Sequence, residues 1–218
     1  MNRFINYDQI IENAVHLCEQ SKYNEAFDIF QMIPDRNKTD KVYYFLGCIL
    51  IRRLYKNGNF SSPDKQAEKY LQKAIALGNE NAKYELGRAY SKRLISEYSD
   101  KQSYQLALKY LLPFADKGLL PAIVTIGTMF CIGYYENDIL EILDDSIPNP
   151  GRNYEKALHY LEIAARNNVT EVYVYLGEIY ELGRGVKKNF ELAKYYYNKA
   201  WYEAGDQFAL KKLNEWRY

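Results

Sequence analysis

The chain of 218 residues lacks an excess of charge of either sign. It has 29 basic and 28 acidic residues and a formal net charge of +1. A nucleic-acid binder needs a basic surplus to displace counterions from phosphates, and a polybasic membrane anchor needs one to meet anionic lipid, so both are excluded as first readings. Cysteine is scarce: Cys18, Cys48 and Cys131 are odd in number and widely spaced. They form neither a disulfide framework nor a CxxC zinc pair, and they read as structural thiols in a reducing compartment. Long apolar runs are missing as well. In the opening stretch MNRFINYDQIIENAVHLCEQ, polar residues interrupt every apolar run, which fits neither a signal peptide nor a membrane span. A cytoplasmic protein is expected, and the N-x-S/T matches at Asn37, Asn59 and Asn168 then carry no meaning. Hydrophobic residues nevertheless make up 48% of the chain, enough for a packed core.

What the sequence does contain is repetition. Ala67, Ala107, Ala157 and Ala193 are each followed three residues on by a tyrosine (Tyr70, Tyr110, Tyr160, Tyr196). Leu71, Leu111, Leu161 or Tyr197 stands four on, and Ala74, Phe114, Ala164 or Ala200 seven on. Offsets of 0, 3, 4 and 7 trace one stripe of an α-helix. The runs stop at Gly78, Gly118, Asn168 and Gly205, residue types that tolerate the left-handed conformation ending a helix. Before each of these helices another is marked by Leu46-Gly47, Leu86-Gly87, Ile126-Gly127 or Leu176-Gly177, with Val42, Ala82, Ala122 or Val172 four residues before the Leu or Ile. Glycine inside a helix costs roughly 1 kcal/mol relative to alanine, so a recurrent one needs a reason. Close approach of the facing alanine of the second helix is the expected reason.

These patterns predict an all-α, right-handed superhelical solenoid forming a single domain over residues 1–218. It has about five helix pairs, at 7–33, 41–78, 81–118, 121–168 and 171–205, and a capping helix at 207–217 whose Trp216 packs back onto the last pair. Pro34 closes the first pair. The fourth pair carries an insertion at 134–152, YYENDILEILDDSIPNPGR, with five acidic residues against one arginine. It reads either as an acidic lip for a basic partner or as an elaborated loop.

The stretch VYVYLGEIYELGRGVKKNFELAKYYYNKAWYEA, from Val172 to Ala204, closely resembles a Sel1-like repeat. Leu176, Gly177, Tyr180, Gly183, Gly185, Val186, Ala193, Tyr196 and Ala200 match that pattern, and the likeness as an array covers about residues 40–218. The first pair looks more like a tetratricopeptide repeat. Only the last full repeat keeps the G-x-G-V loop, and no repeat has the paired cysteines of the family's secreted branch. The resemblance implies a non-catalytic adaptor or scaffold that binds a protein partner. Its alternative version is a bacterial immunity protein that neutralises a cognate toxin.

In such solenoids the first helices line the concave side. With that register, positions two before and two after each Leu or Ile face a groove: Tyr44 and Cys48, Tyr84 and Arg88, Val124 and Thr128, Val174 and Glu178. Ser91, Cys131 and Glu181 come one turn on. Tyr44, Tyr84, Arg88, Thr128, Glu178 and Glu181 are the candidate partner-binding residues, the other reading being a solvated helix face. No catalytic, cofactor or metal residues are expected. Ser62-Pro63-Asp64-Lys65 matches S-x-x-K, but the accompanying S-D-N and K-T-G elements are missing, and the four residues read better as a helix start capped by Ser62. His16 with Glu19 and His159 with Glu162 share helix faces but lie in different repeats, too few for zinc, and read as surface pairs. Gly183-Arg184-Gly185 lacks the third glycine of a dinucleotide loop. The 23 tyrosines fall mostly on the repeat stripes and read as core. A hydrolase using the groove is the least favoured reading.

Overall fold

The computed structural model describes residues 5–57, 63–95, 97–134 and 151–216, with the side chains of 54–57 and 63 not described. Every regular element among them is helical. The α-helices are α1 (Tyr7–Glu19), α2 (Tyr23–Met32), α3 (Asp40–Asn57), α4 (Pro63–Ala76), α5 (Glu80–Ser91), α6 (Asp100–Asp116), α7 (Leu120–Ile132), α8 (Tyr154–Arg166), α9 (Tyr173–Leu182), α10 (Phe190–Ala204) and α11 (Gln207–Glu215). They fall into two compact units, residues 1–99 and 100–218, the break coming between the two helices of the third expected pair. Within each unit, helices adjacent in sequence pack on one another, which is the arrangement of a helical-hairpin solenoid.

The starts and stops of these helices are set by local chemistry. Asn6, Asn79, Asn153, Asn189 and Asp206 each cap a helix, and their side-chain oxygens accept from the N–H three residues on. Gly78, Gly118, Asn168 and Gly205 all have positive φ, as the stop signals require. Pro34 follows α2 and opens a short 3-10 turn at 35–37. The cap expected at Ser62 and most of the insertion, residues 135–150, lie outside the described residues. The base of that insertion is described: Tyr104 donates its hydroxyl to the Gly151 carbonyl at 2.7 Å, and its ring packs on Tyr134 at 5.2 Å.

In the first unit Ala14, Ala26, Phe30, Val42 and Leu46 form one buried cluster across α1, α2 and α3. In the second, Ala157, Leu161, Ala164, Leu176, Tyr197 and Ala200 are fully buried. The stripe tyrosines, expected in the core, are only half-buried, and they flank it by packing on other aromatic rings. Tyr70 packs on Tyr43, Tyr160 stacks on Phe130, and Tyr196 stacks on both Tyr173 and Tyr180.

Three of the recurrent glycines, Gly47, Gly127 and Gly177, sit where helices approach closely, but the facing residue is not the expected alanine. A Cβ at Gly47 would lie 2.6 Å from Leu71 Cγ, one at Gly127 2.9 Å from Leu161 Cδ2, and one at Gly177 in contact with the Tyr197 ring. The larger side chain four residues after the stripe alanine therefore lies over the glycine. The helical stripe points that side chain straight at the neighbouring backbone, whereas the alanine leaves room beside it.

Trp216 does pack back: its ring meets Tyr197 at 5.6 Å and Phe190 at 5.9 Å, securing α11 to α10.

Candidate functional site

In the first unit the helices α1, α3 and α5 line an open cleft of about 650 Å³. Cys18 and Glu19 come from α1, Tyr44, Phe45, Cys48, Ile49 and Arg52 from α3, and Glu85 and Arg88 from α5, with Lys92 and Leu94 just beyond it. The spacing 45, 48, 49, 52 is one face of α3, and 85, 88, 89, 92 continues the same logic along α5 and past its end. The volume lies in the range of ordinary ligand clefts.

The chemistry of this cleft is mixed. Tyr44 and Cys48, one turn apart, share a side-chain hydrogen bond, and burial pushes both well above their ordinary pKa values. A thiol so raised stays protonated and is a poor nucleophile. Burial likewise raises Cys18. Arg88 donates from one nitrogen, Nη1, to both carboxylate oxygens of Glu85, at 3.0 and 3.1 Å. Its guanidinium also lies 5.8 Å from the Tyr84 ring centroid. Arg52 stacks at 4.4 Å over the ring of Tyr23. A second, smaller hollow beyond this wall shares Tyr23, Ile49 and Arg52.

Of the six candidate residues, the structure brings Tyr44 and Arg88 together in this cleft and sets Tyr84 beside Arg88. The other three belong to the second unit. Glu178 lines a narrow hollow with Cys131, Tyr154, Tyr175 and Arg184. The Cys131 thiol there is pushed up to about 12, mainly by burial and next by the Glu178 charge. Thr128 is half-buried and returns its hydroxyl to the carbonyls of Val124 and Thr125 within its own helix. Glu181 sits in the seam between α9, α10 and α11, where it accepts from the Tyr197 hydroxyl at 2.6 Å and from Lys212 Nζ at 3.0 Å. Its side chain is 12% exposed.

Sequence reasoning did not single out Glu85, Arg52 or Tyr23. The register rule of two residues either side of the Leu passes over them, and Tyr23 reaches the cleft from a separate helix pair. The signal that was present is Arg52, six residues after Leu46, on the same face as Tyr44 and Cys48.

The remaining titratable motifs are engaged elsewhere. His16 Nδ1 meets Glu19 at 3.1 Å and its Nε2 meets Gln20 at 2.9 Å, so both ring nitrogens are taken. The expected His159–Glu162 pair does not form. Glu162 instead accepts from the Tyr180 hydroxyl at 2.8 Å and from Arg166, both better placed across the helix pair and along the helix, while His159 rests edge-on against Tyr160. In the first unit the buried Glu68 accepts from Tyr90 at 2.6 Å, Tyr98 at 3.0 Å and Gln72 at 2.9 Å. Tyr90 and Tyr180 hold the same place, four residues after the repeat leucine, and each hands its hydroxyl to a carboxylate on the preceding second helix. Among the described residues no group of three or more His, Cys, Asp or Glu is arranged to hold a metal ion, and no helix is long and apolar enough to cross a membrane.

A family model for the Sel1 repeat matches residues 41–79, 81–119, 147–169 and 170–200, more than half the chain. No curated protein matches it significantly. Among solved structures the chain is similar to a Sel1 repeat protein from Oxalobacter formigenes, with a TM-score of 0.59 and 23% identity over 94% of this chain and 74% of that one. It is also similar to a Sel1 repeat protein from Klebsiella pneumoniae, with a TM-score of 0.50 and 15% identity over 94% of this chain and 90% of that one. An immunity protein from Pseudomonas aeruginosa overlaps more loosely, with a TM-score of 0.43 and 20% identity over 94% of this chain and 76% of that one. At these identities the first two speak to fold alone, and the third overlap is too loose to carry a comparison of function.

Proposed function

Because the chain belongs to the Sel1 repeat family, we propose that it is a non-catalytic interaction module that binds a partner protein with the exposed faces of its first helices. The observation that carries this reading is the cleft between α1, α3 and α5, where an apolar floor meets tyrosine and arginine side chains. Aromatic and arginine side chains are the types that most often anchor protein interfaces, because each combines large contact area with a polar tip. The same cleft is poorly equipped for catalysis. Its thiols are held protonated, and the carboxylate of Glu85 is already paired with Arg88.

The test is capture of partners by the tagged full chain from its source lysate, identified by mass spectrometry. One stoichiometric partner is the expected result. A toxin as that partner would make the protein an immunity factor, and several partners would make it a scaffold. The doubly reversed variant Arg88→Glu with Glu178→Lys should keep its helical circular dichroism and lose partner affinity. Unchanged affinity in that folded variant would remove the first-helix faces from the account.

A further inference from the structure

We propose that the cleft between α1, α3 and α5 recognises an acidic peptide segment, one in which a bulky apolar side chain is flanked by Asp or Glu. This deepens the interaction reading and rests on it. The floor supplies the apolar half. Phe45, Cys48, Ile49 and Leu94 line it, and the protonated Cys48 behaves there as a small hydrophobe. A cleft of about 650 Å³ holds more than one side chain, so the occupant is a short stretch of chain.

The charge supplies the other half. Glu19 and Glu85 are the acids of the cleft: both oxygens of Glu85 are taken by Arg88, and Glu19 shares a hydrogen bond with His16, which offsets its charge only when protonated. Arg52 differs. Its guanidinium face lies on Tyr23, and among the described residues no carboxylate pairs with it. Stacking uses the face of the guanidinium and leaves its in-plane N–H groups, the fork that fits a carboxylate, pointing outward. Arg88 is similar in part. Glu85 occupies only Nη1, and among the described residues nothing is seen to accept from Nη2. The cleft carries three cations, Arg52, Arg88 and Lys92, against the two acids Glu19 and Glu85, and this positive balance around the apolar floor complements an acidic ligand and repels a basic one.

The probes are two fluorescein-labelled peptide pools, each of decapeptides with a central Trp or Leu. One pool has Asp and Glu at the flanking positions, the other Lys and Arg. Binding to the full chain is read by fluorescence anisotropy. The acidic pool should bind, more weakly as salt rises, and the basic pool should not. Arg52→Glu, at an exposed position, should weaken acidic-pool binding about tenfold or more, the loss expected for a charge-assisted hydrogen bond turned into a repulsion. Arg166→Glu, an exposed cation outside the cleft, should leave it unchanged. Preference for the basic pool, binding of neither pool, or indifference to Arg52→Glu each overturns the proposal. So does a dimer that Arg52→Glu dissociates on a sizing column, since the cleft would then be filled by a second copy. If lysate capture still yields a stoichiometric partner when the peptide result is negative, the interaction reading stands and only the acidic-peptide assignment falls. A failure of both removes both.

Discussion

Gly177 shows how tightly single residues are held. A Cβ there would meet the Tyr197 ring, which is fully buried and cannot swing away, because its hydroxyl is bonded to Glu181 and its edge meets Trp216. Alanine at this position gains helix propensity, roughly 1 kcal/mol, but must displace a pinned aromatic ring, and overpacking costs about 1–3 kcal/mol. Gly177→Ala is therefore expected to lower stability despite the gain, read as a lower midpoint in urea denaturation. A midpoint equal to or above the parent's would mean the ring can move. The glycine was legible in the sequence as a site of close approach. The identity of the residue above it was not, because offset along a helix gives the stripe and not the rotation of one helix against the next.

At the scale of elements, the helices are fixed mainly by their ends and stripes; the stripes and the stops at Gly78, Gly118, Asn168 and Gly205 were legible, whereas the asparagine caps were not singled out. Asn189 is a clear case. It opens α10, accepts from the Leu192 N–H at 3.0 Å, and closes the preceding loop through its own N–H to the Tyr180 carbonyl at 2.9 Å. The second bond is backbone and survives a side-chain change. Asn189→Ala should thus cost about 1 kcal/mol, the ordinary worth of an N-cap, while Asn189→Asp retains most of the stability. Equal urea midpoints for parent and Asn189→Ala would show that α10 is held by packing alone. The candidate site was only half legible at this scale. Tyr44 and Arg88 follow from the repeat register, since both lie two residues from a repeat leucine. Glu181 follows the same stripe but reaches Lys212 on α11, a contact between elements 31 positions apart that no local pattern encodes.

Across the whole molecule, burial leaves a signature in pH dependence. Cys18, Cys48 and Cys131 are all raised above the ordinary thiol value of 9.0, chiefly by burial, and Cys131 is pushed up to about 12. Tyr104 is also pushed up to about 12, again by burial. A raised acid keeps its proton longer in the folded state than in the unfolded chain. The unfolded state then binds fewer protons above pH 9, so the stability these groups contribute is complete below their unfolded values and is lost as pH rises through the folded ones. Urea-unfolding free energy under reducing conditions should hold steady to about pH 8 and fall between about pH 9 and about pH 12. A flat profile through that window would mean the thiols and Tyr104 are open to solvent.

The sequence by itself determined the helices, their pairing order, their stops and the buried alanine and leucine stripe, because each depends on residues within about a dozen positions of one another or on a stripe with helical period. It also determined what the chain lacks: surplus charge, a cysteine framework and long apolar runs. Only the tertiary structure decided which side chain covers each repeat glycine, that Glu162 serves Tyr180 rather than His159, and that Arg52 stacks on Tyr23 at the edge of a cleft. Those outcomes depend on how one helix is rotated and set against another, which is fixed by packing between residues far apart in the chain and leaves no periodic mark on the sequence.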